Sequence, residues 1–430
     1  MITSCLSILK SSIFKRTIIY TSSSSLNALV AFLLLPILTR YLSPFDYGVV
    51  ETFMALISCL TGVVLFGGNT LVSKEYFVLT GTDREEYIGN ILGLILIAGS
   101  LLTFSYILLC LLGTNLSKIL KISNTLIILS TIISCANAFI AMISNSFQLE
   151  KNAFSFAIFM NSKTIFEIVL SLYLIIIMGM RWDGRISGIS VSVIIFALIA
   201  LYLFNLRNIK IKFPVKYGKQ ILLMGAPLIL SHLGGWVYGM VDKIMINNLI
   251  SVDATGIYSV GYRFGMVVMM IETAFSLAWL PFFFENIAKK TFENNVKIVK
   301  ATYIYIFFLV LFSIVYGFLG KYLVYFMVDE RFFGSAKIIF LISIAYCFDG
   351  VWKMFLGYVI FTGRMKTYLA ITLGAAVMQI ALNYLFICRL GLIGAAWANF
   401  LSMLIGTLIT IVIAVIIYPM PWLALIKREG

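Results

Sequence analysis

Long apolar runs, broken by short polar stretches, fill almost the whole chain. A helix that crosses a bilayer needs roughly 20 apolar residues in a row. On that measure the pattern predicts twelve spans, over residues 17–39, 46–66, 88–113, 123–146, 153–179, 186–206, 220–246, 256–284, 302–319, 337–361, 367–388 and 393–418. In hydrocarbon the backbone must satisfy its own hydrogen bonds, so runs of this length read as helices. The expected fold class is an all-α polytopic membrane protein.

The polar breaks carry a second pattern. LTRYLSPFDYGVV at 38–50 returns in degenerate form as INNLISVDATGIY at 246–258, with Ser43 and Ser251 in register, and Gly48 and Gly256 likewise. Ser43 before Pro44 reads as a helix N-cap followed by the first helical residue, with Asp46 in the first turn. Ser251 with Asp253 reads the same way. The longest polar break, 206–219, falls at the midpoint and holds Arg207, Lys210, Lys212, Lys216, Lys219 and Pro214. The chain is thus expected to form an N-terminal six-helix lobe (1–206), a linker (207–219) serving as hinge, and a C-terminal six-helix lobe (220–430). Two such repeats, each a set of membrane helices, are a transporter layout with the site in a central cavity between the halves.

Composition agrees with the pattern. The 430 residues are 61% hydrophobic and 12% charged, where a soluble protein carries roughly 25% charged residues. The net charge of +14 is therefore read as topology rather than as a nucleic-acid surface. Nineteen of the basic residues between spans fall on one side and nine on the other, the second set including Arg181 and Arg185. Basic loops stay in the cytoplasm, which places both termini and the linker there. An even number of spans in each half makes the repeats parallel. Lys10, Lys15 and Arg16 precede the first run, but no small-residue cleavage site follows it. The six cysteines are scattered without metal spacing and read as small hydrophobes. His232 is the only histidine, which excludes any mechanism that needs two. No cofactor and no metal are expected.

Eight charged residues stand out inside spans: Lys163, Glu167, Asp242, Lys243, Arg263, Glu272, Asp349 and Lys353. Each costs about 2.5–3.5 kcal/mol on insertion scales, so each needs a reason. Lys163 with Glu167, and Asp349 with Lys353, are four apart and share a helix face. Fixed internal ion pairs are one explanation. A polar cavity in which an anionic substrate displaces the carboxylates is the other, and the displaced carboxylates would face water or take up a proton. Asp242 and Lys243 sit near the end of span seven, where Lys243 can snorkel to the interface. Nine residues separate Arg263 from Glu272, about 180° around a regular helix, so only one of them faces a given cavity, and Arg263 is the better candidate. Pro36 and Pro281 are kink candidates, and Pro227 with Gly234, Gly235 and Gly239 marks span seven as flexible. Trp279–Glu285 reads as an aromatic interface belt.

PILTRYLSPFDYGVVETF (36–53) resembles the first-hairpin signature of polysaccharide biosynthesis exporters. GAPLILSHLGGWVYGMVDKIMI (225–246) with ATGIYSVGYRFG (254–265) resembles the start of their second half. AWLPFFFE (278–285) and the stretch from FTGRMKTYLA (361–370) to LNYLFICRLGLIGAAWANFLS (382–402) resemble their closing hairpins. Nearly the whole chain is similar to Wzx-type flippases of the multidrug/oligosaccharidyl-lipid/polysaccharide exporter superfamily. The resemblance implies a flippase for undecaprenyl-diphosphate-linked oligosaccharide, an O-antigen or similar repeat unit of lipopolysaccharide biosynthesis, in the bacterial inner membrane. It implies a cationic cavity and sets Asp242–Lys243 where the family tends to have Asp followed by a basic residue. Among the in-span charges, Lys163, Arg263, Lys353 and Lys243 are the candidate diphosphate contacts, and Glu167, Asp349, Asp242 and Glu272 are the candidate charge partners or proton-coupling groups. The resemblance also implies a polysaccharide polymerase and a chain-length regulator as pathway partners. This chain departs from that picture in one respect, since these eight charges sum to zero. The competing reading is a cation-coupled drug antiporter of the same superfamily, against which Lys163, Arg263 and Lys353 weigh. A polymerase is expected to show a large outer loop and an acyltransferase a catalytic histidine, so an enzyme is not expected. No GxxxxGK[ST] motif is present for ATP.

Overall fold

The computed structural model describes residues 29–422 apart from 31, 113–115, 214 and 215. Most of the expected first span therefore lies outside the described residues. The helices are α1 (Leu35–Tyr41), α2 (Pro44–Leu65), α3 (Gly68–Glu75), α4 (Gly81–Leu111), α5 (Leu116–Leu120), α6 (Asn124–Leu149), α7 (Ala153–Leu172), α8 (Trp182–Leu206), α9 (Gly218–Leu249), α10 (Val252–Gly265), α11 (Val267–Ala288), α12 (Phe292–Met327), α13 (Ala336–Phe361), α14 (Met365–Leu390) and α15 (Leu392–Ile417). Ten helices among the described residues are long and apolar enough to cross a membrane, or eleven when α10 and the start of α11 count as one bent span. Those eleven correspond to the expected spans two to twelve. The protein is an all-α, multi-pass membrane protein.

Local chemistry sets the helix ends. The Ser43 hydroxyl accepts from the Asp46 amide at 3.1 Å, and the Asp46 carboxylate accepts from the Ser43 amide at 2.9 Å. This reciprocal capping box starts α2 with Pro44 in its first turn. The Ser251 hydroxyl likewise accepts from Ala254 and starts α10. Both expected caps are present. Phe66 and Gly67, at φ of 53° and 68°, separate α2 from α3. Such angles suit glycine and strain other residues. Ahead of α1 the helix breaks at Leu34, two residues before Pro36, as a proline without an amide proton dictates. Pro227 does not interrupt α9.

Three expectations are corrected. The ninth span, drawn as 302–319, begins ten residues earlier at Phe292, because Thr291 caps it through the Asn294 amide. The sixth, drawn from 186, begins at Trp182 and brings Arg185 inside the membrane helix. The eighth is not one regular helix, since α10 and α11 meet at a 42° bend beside Met266. There Gly265 packs so closely on Ile342 of α13 that a side chain at this position would overlap it.

The described chain divides into two compact units. One comprises residues up to Leu34 together with Tyr41–Trp236, and the other comprises Leu35–Arg40 together with the residues from Val237 onward. In the first unit α6 packs on α2, α4 and α8, and α8 packs on α7. Its core holds Phe53, Leu92, Ile143 and Phe204. In the second unit α13 packs against α12 and α15, and α15 against α14. Its core is aromatic. Trp279 and Phe283 are buried there, and Phe283 lies edge-on to Tyr358 at 4.8 Å. The Trp279–Glu285 segment is thus core rather than interface belt, because Trp279 and Phe283, four residues apart, share the face that α11 turns toward α13. Large apolar side chains such as Phe104, Phe307, Phe308, Phe326 and Ile416 point outward. A bilayer solvates such surface at no hydrophobic cost, as water does not.

Candidate functional site

The charged residues inside the helices fall into clusters, two of them built around an expected pair. In the first unit, Lys163 and Glu167 stand one turn apart on α7, with Lys163 Nζ donating to Glu167 Oε2 at 3.1 Å. The expected pair is there, but it is not alone. Arg185, in the first turn of α8, donates to Glu167 Oε1 at 3.0 Å and to the Ser171 hydroxyl at 2.9 Å. Gly188 lets α8 approach α7 closely at Ser171, since a Cβ there would overlap the serine. All three charged side chains are mostly buried. With two cations to one carboxylate, the cluster holds an excess positive charge.

A polar cavity of about 580 Å³ opens beside it. Lys163 is the one charged residue in its lining, which otherwise includes Asn69, Asn137, Asn145, Gln148 and His232. His232 Nε2 lies 3.3 Å from the Ser58 carbonyl. Its ring occupies the space that Gly62 leaves free, and a Cβ at Gly62 would overlap it. Trp236 Nε1 donates to the Ala55 carbonyl at 3.0 Å, fixing this part of α9 on α2.

In the second unit, Lys353 on α13 lies 2.7 Å from Asp349 Oδ2 and 2.5 Å from Glu272 Oε1 on α11. The expected Asp349–Lys353 pair is again present with a third member. Here two carboxylates share one ammonium, so this cluster holds an excess negative charge. Glu272 is fully buried, and its Oε2 has no hydrogen-bond partner among the described residues. Lys353 is the exposed member, with 37% of its side chain accessible.

Asp242 and Lys243 do not snorkel, because α9 turns both toward α10 and buries them. Asp242 Oδ2 accepts from the Tyr258 hydroxyl at 2.6 Å and from Asn399 Nδ2 at 2.9 Å, and Asp242 Oδ1 accepts from the Lys243 amide at 2.8 Å. Gln379 extends the chain to Asn399 Oδ1 at 3.2 Å. Lys243 Nζ lies 5.4 Å from the centre of the Tyr262 ring, within cation–π reach. Arg263, next to Tyr262, is half-buried. The bend removes the premise of a regular helix, so Arg263 and Glu272 lie on different helices.

A family model described as polysaccharide biosynthesis protein matches residues 13–287. The chain belongs to the polysaccharide biosynthesis protein family. A MatE model also matches residues 227–385 of the chain. Over 290 residues it is 26% identical to a Haemophilus influenzae protein of the Lsg locus, a match that covers 65% of this chain and 67% of that one. Among solved structures it is similar to the lipid II flippase MurJ in an inward closed conformation, with a TM-score of 0.75, 15% identity, and coverage of 93% of this chain and 87% of that one. It is also similar to an inward-facing multidrug resistance MATE transporter, with a TM-score of 0.66, 16% identity, and coverage of 91% and 95%. At these identities the likeness is one of fold.

Sequence reasoning missed Arg185, the tyrosine and amide partners of Asp242, and the amides of the cavity. Arg185 was hidden by a boundary drawn where the apolar run begins rather than where the helix does. The amides had a readable signal. Asn137, Ala141, Ser144, Asn145 and Gln148 recur at helical spacing along α6, a small or polar stripe on an otherwise apolar helix.

Proposed function

We propose that the protein is a flippase that carries undecaprenyl-diphosphate-linked oligosaccharide, an O-antigen or similar repeat unit, from the cytoplasmic to the outer leaflet of the bacterial inner membrane by alternating access. Membership of a polysaccharide biosynthesis family supports the substrate class. The observation that carries the mechanism is the cluster of Lys163, Glu167 and Arg185. Taken over the eight charges expected inside the spans the sum is zero, but the structure adds Arg185 to the first cluster and gives it an excess cation beside a polar cavity. A diphosphate leaving water must be neutralised, and an unpaired buried charge is costly. Lys163 and Arg185 can turn from Glu167 to the diphosphate, with Arg263 and Lys353 as further contacts. Asp349, Glu272 and Asp242 are the groups through which proton coupling would act. The two lobes would alternate in access while joined through the 207–219 linker, with both termini cytoplasmic. A polymerase and a chain-length regulator would be the protein partners.

The test is mass spectrometry of lipid-linked sugars in a deletion strain. Loss of the protein should cause a lipid-diphosphate-linked repeat unit to accumulate, and wild type should clear it. Absence of any such accumulation would overturn the reading. A second reading, a cation-coupled drug antiporter, draws on the MatE match and on the excess carboxylate around Lys353. It predicts drug sensitivity in the deletion strain with normal lipid-linked sugars.

A further inference from the structure

The cavity of the first unit holds far more amide than charge. From Asn137 to Gln148, the stripe on α6 runs for three helical turns, ~16 Å. Asn145 is committed to the fold, donating to the Asn69 backbone carbonyl at 3.1 Å and accepting from Ser73 at 3.3 Å. The side chains of Asn137 and Gln148 make no hydrogen bond to any described residue. Asn69 and Thr61 also line this cavity, and their Oδ1 and Oγ1 are buried without a hydrogen-bond partner among the described residues. Leaving a buried polar group unpaired costs about 1–3 kcal/mol. Two such groups, beside a half-buried Asn137 and an exposed Gln148 with unpaired side chains, make a wall shaped for something that pairs with them.

The chemistry narrows what that is. A carboxamide presents two donors and an acceptor together, and a hydroxyl is both donor and acceptor. The two pair in either direction. A phosphate only accepts, so it gains nothing from the Asn69 carbonyl oxygen. A cationic drug would want a carboxylate, and the lining contains none. A cavity of about 580 Å³ lies inside the range of about 300–1,000 Å³ usual for small-ligand sites.

Resting on the flippase reading above, we propose that this cavity is the glycan-reading site, which takes an uncharged sugar bearing hydroxyl or acetamido groups. Asn137 and Gln148 bond that sugar, and Lys163 at the cavity edge holds the diphosphate that joins it to the lipid. Specificity for the glycan then resides in one face of α6, separate from the charge that recognises every lipid diphosphate alike.

The test uses the full chain in lipid nanodiscs and two probes, undecaprenyl diphosphate alone and the same lipid carrying one N-acetylhexosamine. Wild type should bind the sugar-bearing probe about tenfold more tightly, the equivalent of two modest hydrogen bonds. The double variant Asn137→Ala, Gln148→Ala should lose that increment and keep its affinity for the bare lipid. Lys163→Ala should weaken both. If the alanine protein does not fold, Asn137→Thr with Gln148→Thr replaces it with the same expected loss. A wild type without a sugar increment, or a folded double variant that retains it, overturns the proposal. A wild type that binds neither probe overturns the flippase reading itself, and this inference with it.

Discussion

Glu167 stands between two cations, whereas Asp349 shares its single lysine with a second carboxylate. That difference separates residues which the sequence presents as equivalent i, i+4 pairs. Glu167→Gln should release both Lys163 and Arg185. We predict about tenfold tighter binding of undecaprenyl diphosphate and slower release, the scale of one charge-assisted hydrogen bond at ~1.5 kcal/mol. Asp349→Asn leaves Lys353 on Glu272 and should change affinity far less, until Glu272→Gln is added. Equal, unchanged affinities in folded Glu167→Gln and wild-type protein would mean that the pair is a fixed strut. The four-residue spacing made Lys163–Glu167 and Asp349–Lys353 legible in advance. Nothing in the sequence joins Glu272 to Lys353, because that contact depends on how α11 packs on α13.

Between helices, the 207–213 segment is held down rather than free. The Lys212 amide donates to the Gly89 carbonyl at 3.1 Å, and Lys216 Nζ reaches Asp83 at 2.7 Å. Gly89 and Gly93, one turn apart on α4, clear the groove in which the segment lies, and a Cβ at either would overlap a Lys210 or Lys212 carbonyl. Gly93→Ala should therefore lift the strap, at a cost of about 1–3 kcal/mol as for other overpacked sites. The change should appear as a lower melting temperature and faster proteolysis within 207–213, and an unchanged cleavage rate would refute it. A second clasp is tied to pH. Arg331 donates to the Thr39 and Arg40 carbonyls at 3.0 and 3.1 Å, closing the C-terminal end of α1, and Asp329 holds the guanidinium at 2.6 Å. The Arg331 hydrogen bond keeps the Asp329 carboxyl below its ordinary value. A depressed carboxyl contributes its stability above the unfolded value, roughly pH 4, and loses it as pH falls through the folded one. Melting of the wild type should thus fall more steeply below about pH 4 than melting of Asp329→Asn, and parallel curves would rule the clasp out. The caps at Ser43 and Ser251 were readable because capping chemistry is local. The bend at Met266 was not, because it depends on Gly265 meeting Ile342 from another helix.

Across the whole chain, the apolar runs made the spans legible, since the bilayer imposes one length and one chemistry on each. Orientation depends on charge alone. The linker carries five basic residues, Arg207, Lys210, Lys212, Lys216 and Lys219, and the loops on its side hold nineteen against nine. Positive loops resist translocation, so we predict that 207–219 faces the cytoplasm. The strap conformation makes this testable. The Lys212 side chain is half-exposed although its backbone is bound to α4, and on the opposite side Arg181 is 71% exposed. In a cysteine-free background, Lys212→Cys should react with an impermeant maleimide only after the cells are opened, whereas Arg181→Cys should react in intact cells. Arg185 does not disturb the count, because its place in α8 moves one charge from the outer loop into the helix and only widens the asymmetry. If residue 212 labels from outside and 181 does not, the orientation is reversed. A reversed orientation would remove the charge argument for a cytoplasmic linker, and the proposed direction of transport would fail with it.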